Sequence, residues 1–434
     1  MKIKIYTSDL EPGMYVCELD RPWLGTPFLF QGFPIRSQVE IEQLQERCQY
    51  VFVDGEKSTI PAASLMRLRD RGSSRGGSSV APQATRRIDP AADRSIDATY
   101  RAFHTHLHEA HHVVKSTRSY VDKMLEEARL GTSVDTTAAK AVVSQLVERV
   151  VANPDALIWL THLKRRDEYT ATHCVNVCVL AITFGRWLGL EGDTLRILGL
   201  GALLHDVGKM HVPPEVLNKP GRLTDEEFDI MKAHPELGHE LLSGSAEVGD
   251  EAMEIVLRHH ERIGGQGYPG GLAGEQISRL TKIVSIVDVY DAVTSDRVYH
   301  DGISPSAALK NLYNWAPNNF DADLVEAFIR SIGIYPVGSL VQLNTGDVGI
   351  VVATNESYRL RPLLLLVLDA DQQPYTQRRL INLASPVWES DPNKPRIERV
   401  LEPGAYGIDV RPIIEEETRA AQAHTAKTSL QGSA

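Results

Sequence analysis

LRILGLGALLHDVGK, residues 195–209, decides how this chain is to be read. An apolar, helix-type run ends in the adjacent pair His205-Asp206, followed by Val207, Gly208 and Lys209. Working outward, histidines and aspartates set into helix-spaced sequence keep returning. His173 lies in EYTATHCVNVCVLA (168–181), which reads as an amphipathic helix, and His234 lies in MKAHPELG (231–238). His259 and His260 close EAMEIVLRHHE (251–261), and Asp288 sits within KIVSIVDVYDAV (282–293). From roughly 140 to 334 the helical patterns are broken by Gly and Pro without regular strand–helix alternation, so an all-α core is expected there.

An unpaired polar group in a core helix is expensive. A lone His in such a place is ordinarily a hydrogen-bonded core residue. Seven positions, with an HD and an HH pair among them, point instead to a metal centre lined by inward-facing helices. Imidazole and carboxylate donors suit Fe, Mn, Zn or Ni, and the absence of thiolate from the set weighs against a closed structural zinc site. Neighbours on a helix diverge by about 100°, but at a helix end His205 and Asp206 can both reach a two-metal cluster. Asp206 would then bridge ions about 3.5–4 Å apart, the arrangement used for phosphodiester hydrolysis. Lys209 would place a cation by the phosphate.

The flanks read differently. Residues 1–70 form a small mixed α/β domain, with KIKIY and YVFVD as strands and VEIEQLQERC as a helix between them. The Gly/Ser/Pro-rich stretch 71–95 reads as a flexible linker and 96–139 as a connecting helical region. From 335 to 412 the short runs SLVQL, VGIVVAT and PLLLLVL predict a small β-rich domain, followed by a polar, frayed tail over 413–434. The net charge of −11 argues against a protein that coats nucleic acid. Four cysteines in 434 residues give no disulfide framework. No run is long enough to span a membrane and the N-terminus is no signal peptide, so a cytoplasmic location is expected.

HTHLHEAHH (104–112) places His104, His108, His111 and His112 on one helical face; we read it as a polar face meeting solvent. A pH-sensitive coiled interface is the alternative. Cys174 and Cys178 read as small buried hydrophobes. Arg86-Arg87 and Arg165-Arg166 read as surface pairs.

Four segments together carry a resemblance: HDVGK (205–209), PPEVLNKPGRLTDEEFDIMKAHPELG (213–238), HHERIGGQGYPGGL (259–272) and VDVYDAVTSDRVYH (287–300). In this order they resemble the HD-GYP family, a branch of the HD phosphohydrolases, with Gly267-Tyr268-Pro269 as the GYP signature. Residues 1–130 resemble the domain of unknown function that often precedes such modules. The fold expected is therefore multidomain and mainly α: an all-α HD-type bundle between a small α/β N-terminal domain and a small β-rich C-terminal domain.

The resemblance implies a metal-dependent phosphodiesterase that converts cyclic di-GMP to the linear dinucleotide or GMP, with two divalent ions per chain, iron or manganese. Its ligands would be His173, His205, Asp206, His234, His259, His260 and Asp288, and Asp206 and Lys209 would serve catalysis. Lys209 and Arg297 would hold the phosphate, and Gly267, Tyr268 and Pro269 would border the site, Tyr268 offering a ring near a guanine. Asp291 reads as support behind the ligands. Where the family usually has Asp, Gly264 stands, so a looser loop or a lost hydrogen bond is expected. Tyr169 replaces the extra carboxylate of three-metal members, with Glu168 rotated away, which favours two ions. The alternatives are a catalytically weak receptor acting through GYP-loop contacts, or a phosphodiesterase for the mixed cyclic GMP-AMP dinucleotide. Expected partners are the cyclic dinucleotide, GGDEF-domain proteins and a second copy in a homodimer.

Overall fold

The computed structural model describes residues 2–21, 32–61, 65, 95–163, 169–295, 302–355, 358–388, 391 and 394–431. Most of the expected linker, both arginine pairs and Arg297 lie outside the described residues. The chain divides into two units, one through Arg86 and one from Arg87 onward.

In the first unit, Ile3 and Ile5 of strand β1 (Lys2–Tyr6) point inward while Lys2 and Lys4 face solvent. They pair with Val53 and Val51 of β4 (Tyr50–Asp54) in antiparallel register, the period-2 pattern of a half-buried sheet. Between them lie β2 (Tyr15–Leu19), β3 (Phe33–Pro34) and helix α1 (Gln38–Arg47). The strand order is β1-β4-β2-β3. Ser37 and Glu40 close a reciprocal capping box on α1, and Ile41 and Leu44 pack into the sheet's core.

The second unit opens with α2 (Ser95–Arg129), α3 (Thr136–Ala152) and α4 (Pro154–Thr161). Then come α5 (Tyr169–Trp187), α6 (Gly192–Leu204), a 3-10 turn at Val207–His211 and α7 (Pro214–Leu217). Around the site follow α8 (Asp225–Lys232), α9 (His234–Leu242), α10 (Asp250–Arg258) and α11 (Arg279–Thr294). Helices α12 (Pro305–Asn319) and α13 (Ala322–Ile332) complete the bundle. Its centre is α5, packed against α6 and α11. Residues 171–185 of α5 are all buried, so the expected amphipathic helix is in fact enclosed on every side, as its apolar sequence allows. Cys174 and Cys178 are free and lie within that core.

Five antiparallel strands follow: β5 (Leu340–Leu343), β6 (Val348–Ala353), β7 (Leu363–Leu368), β8 (Pro374–Asn382) and β9 (Ile397–Val400), in the order β8-β7-β6-β5-β9. Every residue of β7 is buried. Asp155 at the start of α4 ties this sheet to the bundle, accepting from the Thr354 amide and hydroxyl at 3.2 and 3.1 Å.

The expected frayed tail is instead a helix, α14 (Val410–Gln431), which packs along α2. Ile414, Thr418 and Ala421 are buried at i, i+4 and i+7, a narrow stripe that the surrounding polar residues disguise. Part of the histidine face of α2 therefore meets this helix, while His112 stays exposed as expected. His104 is buried and lies 3.2 Å from the Glu417 carboxylate, and His111 bonds the Gln422 amide at 2.8 Å. No helix among the described residues is long and apolar enough to cross a membrane.

Candidate metal centre

His205 is the C-cap of α6 and Asp206 the N-cap of the 3-10 turn, so the backbone leaves the helix between them and both side chains reach one point. Gly208 makes the next approach possible. A Cβ there would lie 2.0 Å from the His234 carbonyl and 2.4 Å from the Gly238 amide. Only glycine lets the turn press against α9, whose first residue is His234. His259 terminates α10 with His260 beside it, His173 comes from buried α5 and Asp288 from α11. Outside this cluster, His211 Nε2 donates to the Ala128 carbonyl at 3.0 Å and fastens the turn to α2.

Asp206 sits in the middle. Its Oδ1 lies 3.3 Å from His234 Nε2 and 3.9 Å from His259 Nε2. Its Oδ2 lies 3.3 Å from His205 Nε2, 3.6 Å from His173 Nε2 and 2.6 Å from Lys209 Nζ. Two donor groups result, Asp206-His234-His259-His260 and His173-His205-Asp206, sharing one carboxylate. Asp288 Oδ1 is 3.0 Å from His173 Nε2, and its Oδ2 is 4.0 Å from His260 Nδ1.

Each of three imidazoles is aimed by its own helix. His205, His234 and His259 donate Nδ1–H to the carbonyls of Ala202, Met231 and Val256, three residues earlier, at 2.7, 2.8 and 3.0 Å. That bond fixes the tautomer and leaves the Nε2 lone pair facing the centre. His234 and His259 thus oppose two lone pairs 3.2 Å apart. His205 Nε2 and Asp206 Oδ1 are buried with no hydrogen-bond partner. Orphaned buried acceptors pointing at one another fit a cation and little else. Asp291 Oδ2 accepts from His173 Nδ1 at 2.8 Å while its Oδ1 accepts from the Asn176 amide at 3.1 Å.

The electrostatics agree at Asp206, His259 and His260. Burial works against an ionised Asp206, but His205 and Lys209 hold its carboxyl well below the usual range. Burial presses His259 and His260 well below the ordinary imidazole value, their neighbouring imidazoles adding to the effect. Both are therefore neutral and able to act as ligands. Burial also opposes charge on His173, yet hydrogen bonds to Asp288 and Asp291 raise it to about 9.

Glu261 is a site residue that sequence reasoning missed. It is buried, and its two oxygens accept from the Gly270 and Leu272 amides at 2.6 and 2.9 Å. The loop carrying Gly267, Tyr268 and Pro269 is thereby tied to the residue next to His260. The signal was a charged residue placed directly after two ligand-type histidines. A Cβ at Gly264 would lie 2.6 Å from the Asn318 carbonyl. The loop there is fastened by a bridge between Gly264 and Ala273 and by the Ile263 amide on the Asn319 carbonyl, 3.2 Å. Tyr268 stacks on His260, centroids 4.7 Å apart, so one face of the ring expected to meet a guanine is already covered.

The comparisons with known proteins agree with this geometry. The HD domain family matches residues 150–324, the domain of unknown function DUF3391 matches 2–139, and the KOW domain associated with HD domain matches 340–386. The chain is 35% identical over 383 residues to a cyclic di-GMP phosphodiesterase of Pseudomonas aeruginosa, covering 88% of each chain. It is 42% identical over 172 residues to the cyclic di-GMP phosphodiesterase response regulator RpfG of Xanthomonas campestris pv. campestris, 39% of this chain and 45% of that one. Similarity also extends to a 3′3′-cGAMP-specific phosphodiesterase of Vibrio cholerae, 32% identical over 169 residues, 39% of this chain and 32% of that one. A fold with a shared aspartate among helix-end histidines defines an HD-domain, metal-dependent phosphohydrolase. The chain belongs to the HD-GYP family.

Proposed function

We propose that this chain hydrolyses cyclic di-GMP to the linear dinucleotide or GMP at the Asp206 cluster. The observation that carries the reading is the carboxylate shared between two groups of histidine Nε2 atoms, with buried acceptors that nothing in the protein satisfies. Its ligands would be His173, His205, Asp206, His234, His259, His260 and Asp288, holding two ions, iron or manganese. When bound, such ions polarise the phosphodiester and activate the attacking water.

The remaining work falls to the chain itself. Asp206 stays ionised at any ordinary pH and so can be shared across the two groups. Lys209, 2.6 Å from Asp206 and partly exposed, offers a cation to the non-bridging phosphate oxygens as charge develops. Asp291 and Asn176 keep His173 oriented. Glu261 fixes the loop that borders the substrate. The relative matched over most of the chain, 35% identical across 88% of each, is named for cyclic di-GMP, whereas those named for 3′3′-cGAMP match over 39% and 41% of it, which favours the symmetric dinucleotide.

The test is anaerobic turnover of cyclic di-GMP by protein loaded with Fe(II) or Mn(II), with products separated by chromatography and metal content read on the same sample. Linear dinucleotide or GMP is expected, and its formation is lost in Asp206→Ala. No product from a fully loaded sample, or wild-type turnover in Asp206→Ala, overturns the reading.

A further inference from the structure

Helix α8 is the least packed element beside the site: it buries none of its eight residues. Its geometry is nonetheless well fixed. Thr224 and Glu227 form a reciprocal cap, and Lys219 pairs with Glu227 at 2.5 Å. On this rigid but superficial helix stands Phe228, 46% exposed. A half-exposed phenyl ring contributes little to a core that its helix does not enter, and core packing does not account for it.

What it does touch is the loop at the site. Phe228 meets Tyr268 edge to face, centroids 6.4 Å apart and planes at 84°. Tyr268 in turn lies nearly parallel to His260, at 28°. The rings therefore form a ladder running outward from the metal-type cluster: His260, then Tyr268, then Phe228. The last two stand almost at right angles and make a corner. A planar base can lie flat on one wall of such a corner and present its edge to the other. Lys232 Nζ sits 5.1 Å from the Phe228 centroid, paired with Asp229 one turn back.

We infer that Phe228 is a substrate-binding residue, forming with Tyr268 an aromatic corner that takes one purine of the cyclic dinucleotide while the scissile phosphate lies at Asp206. This rests on the phosphodiesterase reading above. Stacking accepts any base face, so the corner supplies affinity without telling guanine from adenine.

The experiment measures Kd by calorimetry and KM and kcat by product chromatography, for cyclic di-GMP on the metal-loaded full chain. Phe228→Ala is expected to raise Kd and KM about tenfold, within the range of base–aromatic stacking, while kcat changes less than about threefold. Phe228→Tyr restores both, and Ile230→Ala, an equally exposed neighbour on α8, changes neither. An unchanged Kd in Phe228→Ala overturns the corner, as does an equal loss in Phe228→Ala and Phe228→Tyr. Wild-type binding without turnover overturns the phosphodiesterase reading alone, and the affinity comparison still decides the corner. Absence of wild-type binding overturns both.

Discussion

The imidazoles around Asp206 and the two on α2 that meet α14, His104 and His111, are drawn into the protein, yet their nitrogens face opposite things. At the centre, three Nδ1–H groups are spent on carbonyls of their own helices and the Nε2 atoms converge on a carboxylate and on each other. Along α2, His104 has its own carboxylate in Glu417 and His111 has an amide in Gln422. The first cluster is satisfied only when something cationic joins it. In the second, His104 and His111 are satisfied by another helix of the same chain, and His108 Nδ1 alone is buried without a hydrogen-bond partner. Histidine density therefore says little about metal; the direction of the unprotonated nitrogen says a great deal.

The comparison breaks first on Asp206→Ala. Turnover should fall about 10³-fold or more, with the helical circular dichroism spectrum retained. His104→Ala should keep turnover within about twofold; a comparable collapse there would erase the distinction between the clusters.

Removing metal by chelation should likewise abolish turnover and lower the melting temperature. Ligand at a hundred times its Kd stabilises by about 2.7 kcal/mol. His104→Ala and His108→Ala protein should carry the same metal stoichiometry as wild type by elemental analysis, and a lower value would place metal in the α2–α14 seam.

For stability the ranking reverses. His104→Ala leaves Glu417 buried without this partner and should cost about 1–3 kcal/mol in urea unfolding. The smallest effect is in pH. Burial and the neighbouring His112 hold His108 and His111 below the ordinary imidazole value. The unfolded chain then binds more protons once pH falls below about 6.5, so stability present above that pH declines beneath it. Melting between pH 7.5 and 5.5 should show the decline, and a double variant of His108→Gln and His111→Gln should show a shallower one. Equal slopes would remove these histidines from the account.

The reading of the sequence went furthest where chemistry and spacing coincide. His205-Asp206 at a helix end could be read as a convergence point because a chain leaving a helix there frees both side chains. The bundle followed from unbroken helical spacing, and β1, β4, β5, β6 and β7 from β-branched or leucine-rich runs. Strand β8 (PYTQRRLIN) escaped because half of it is polar and exposed, and α14 because its buried stripe is three small or isolated residues among charges. Glu261 and Phe228 were hidden for another reason. Each acts through a contact distant in sequence, Glu261 with amides nine and eleven residues away and Phe228 with a ring forty positions on, and no local pattern encodes such a pairing.

Helix α2 has 35 residues and, at 1.5 Å per residue, is a rod about 50 Å long. Near its C-terminal end, the Ala128 carbonyl is fastened to His211, five residues beyond Asp206, in the turn that Gly208 presses against α9. Further back, His104 and His111 are braced by α14. The rod also packs against α3, α4 and α5. Tilting it by about 5° about the seam would move its ends by a few ångströms, far more than a hydrogen bond tolerates. The turn that carries Asp206 and the seam with α14 are thus joined by one continuous helix, and neither can shift against it without breaking a hydrogen bond.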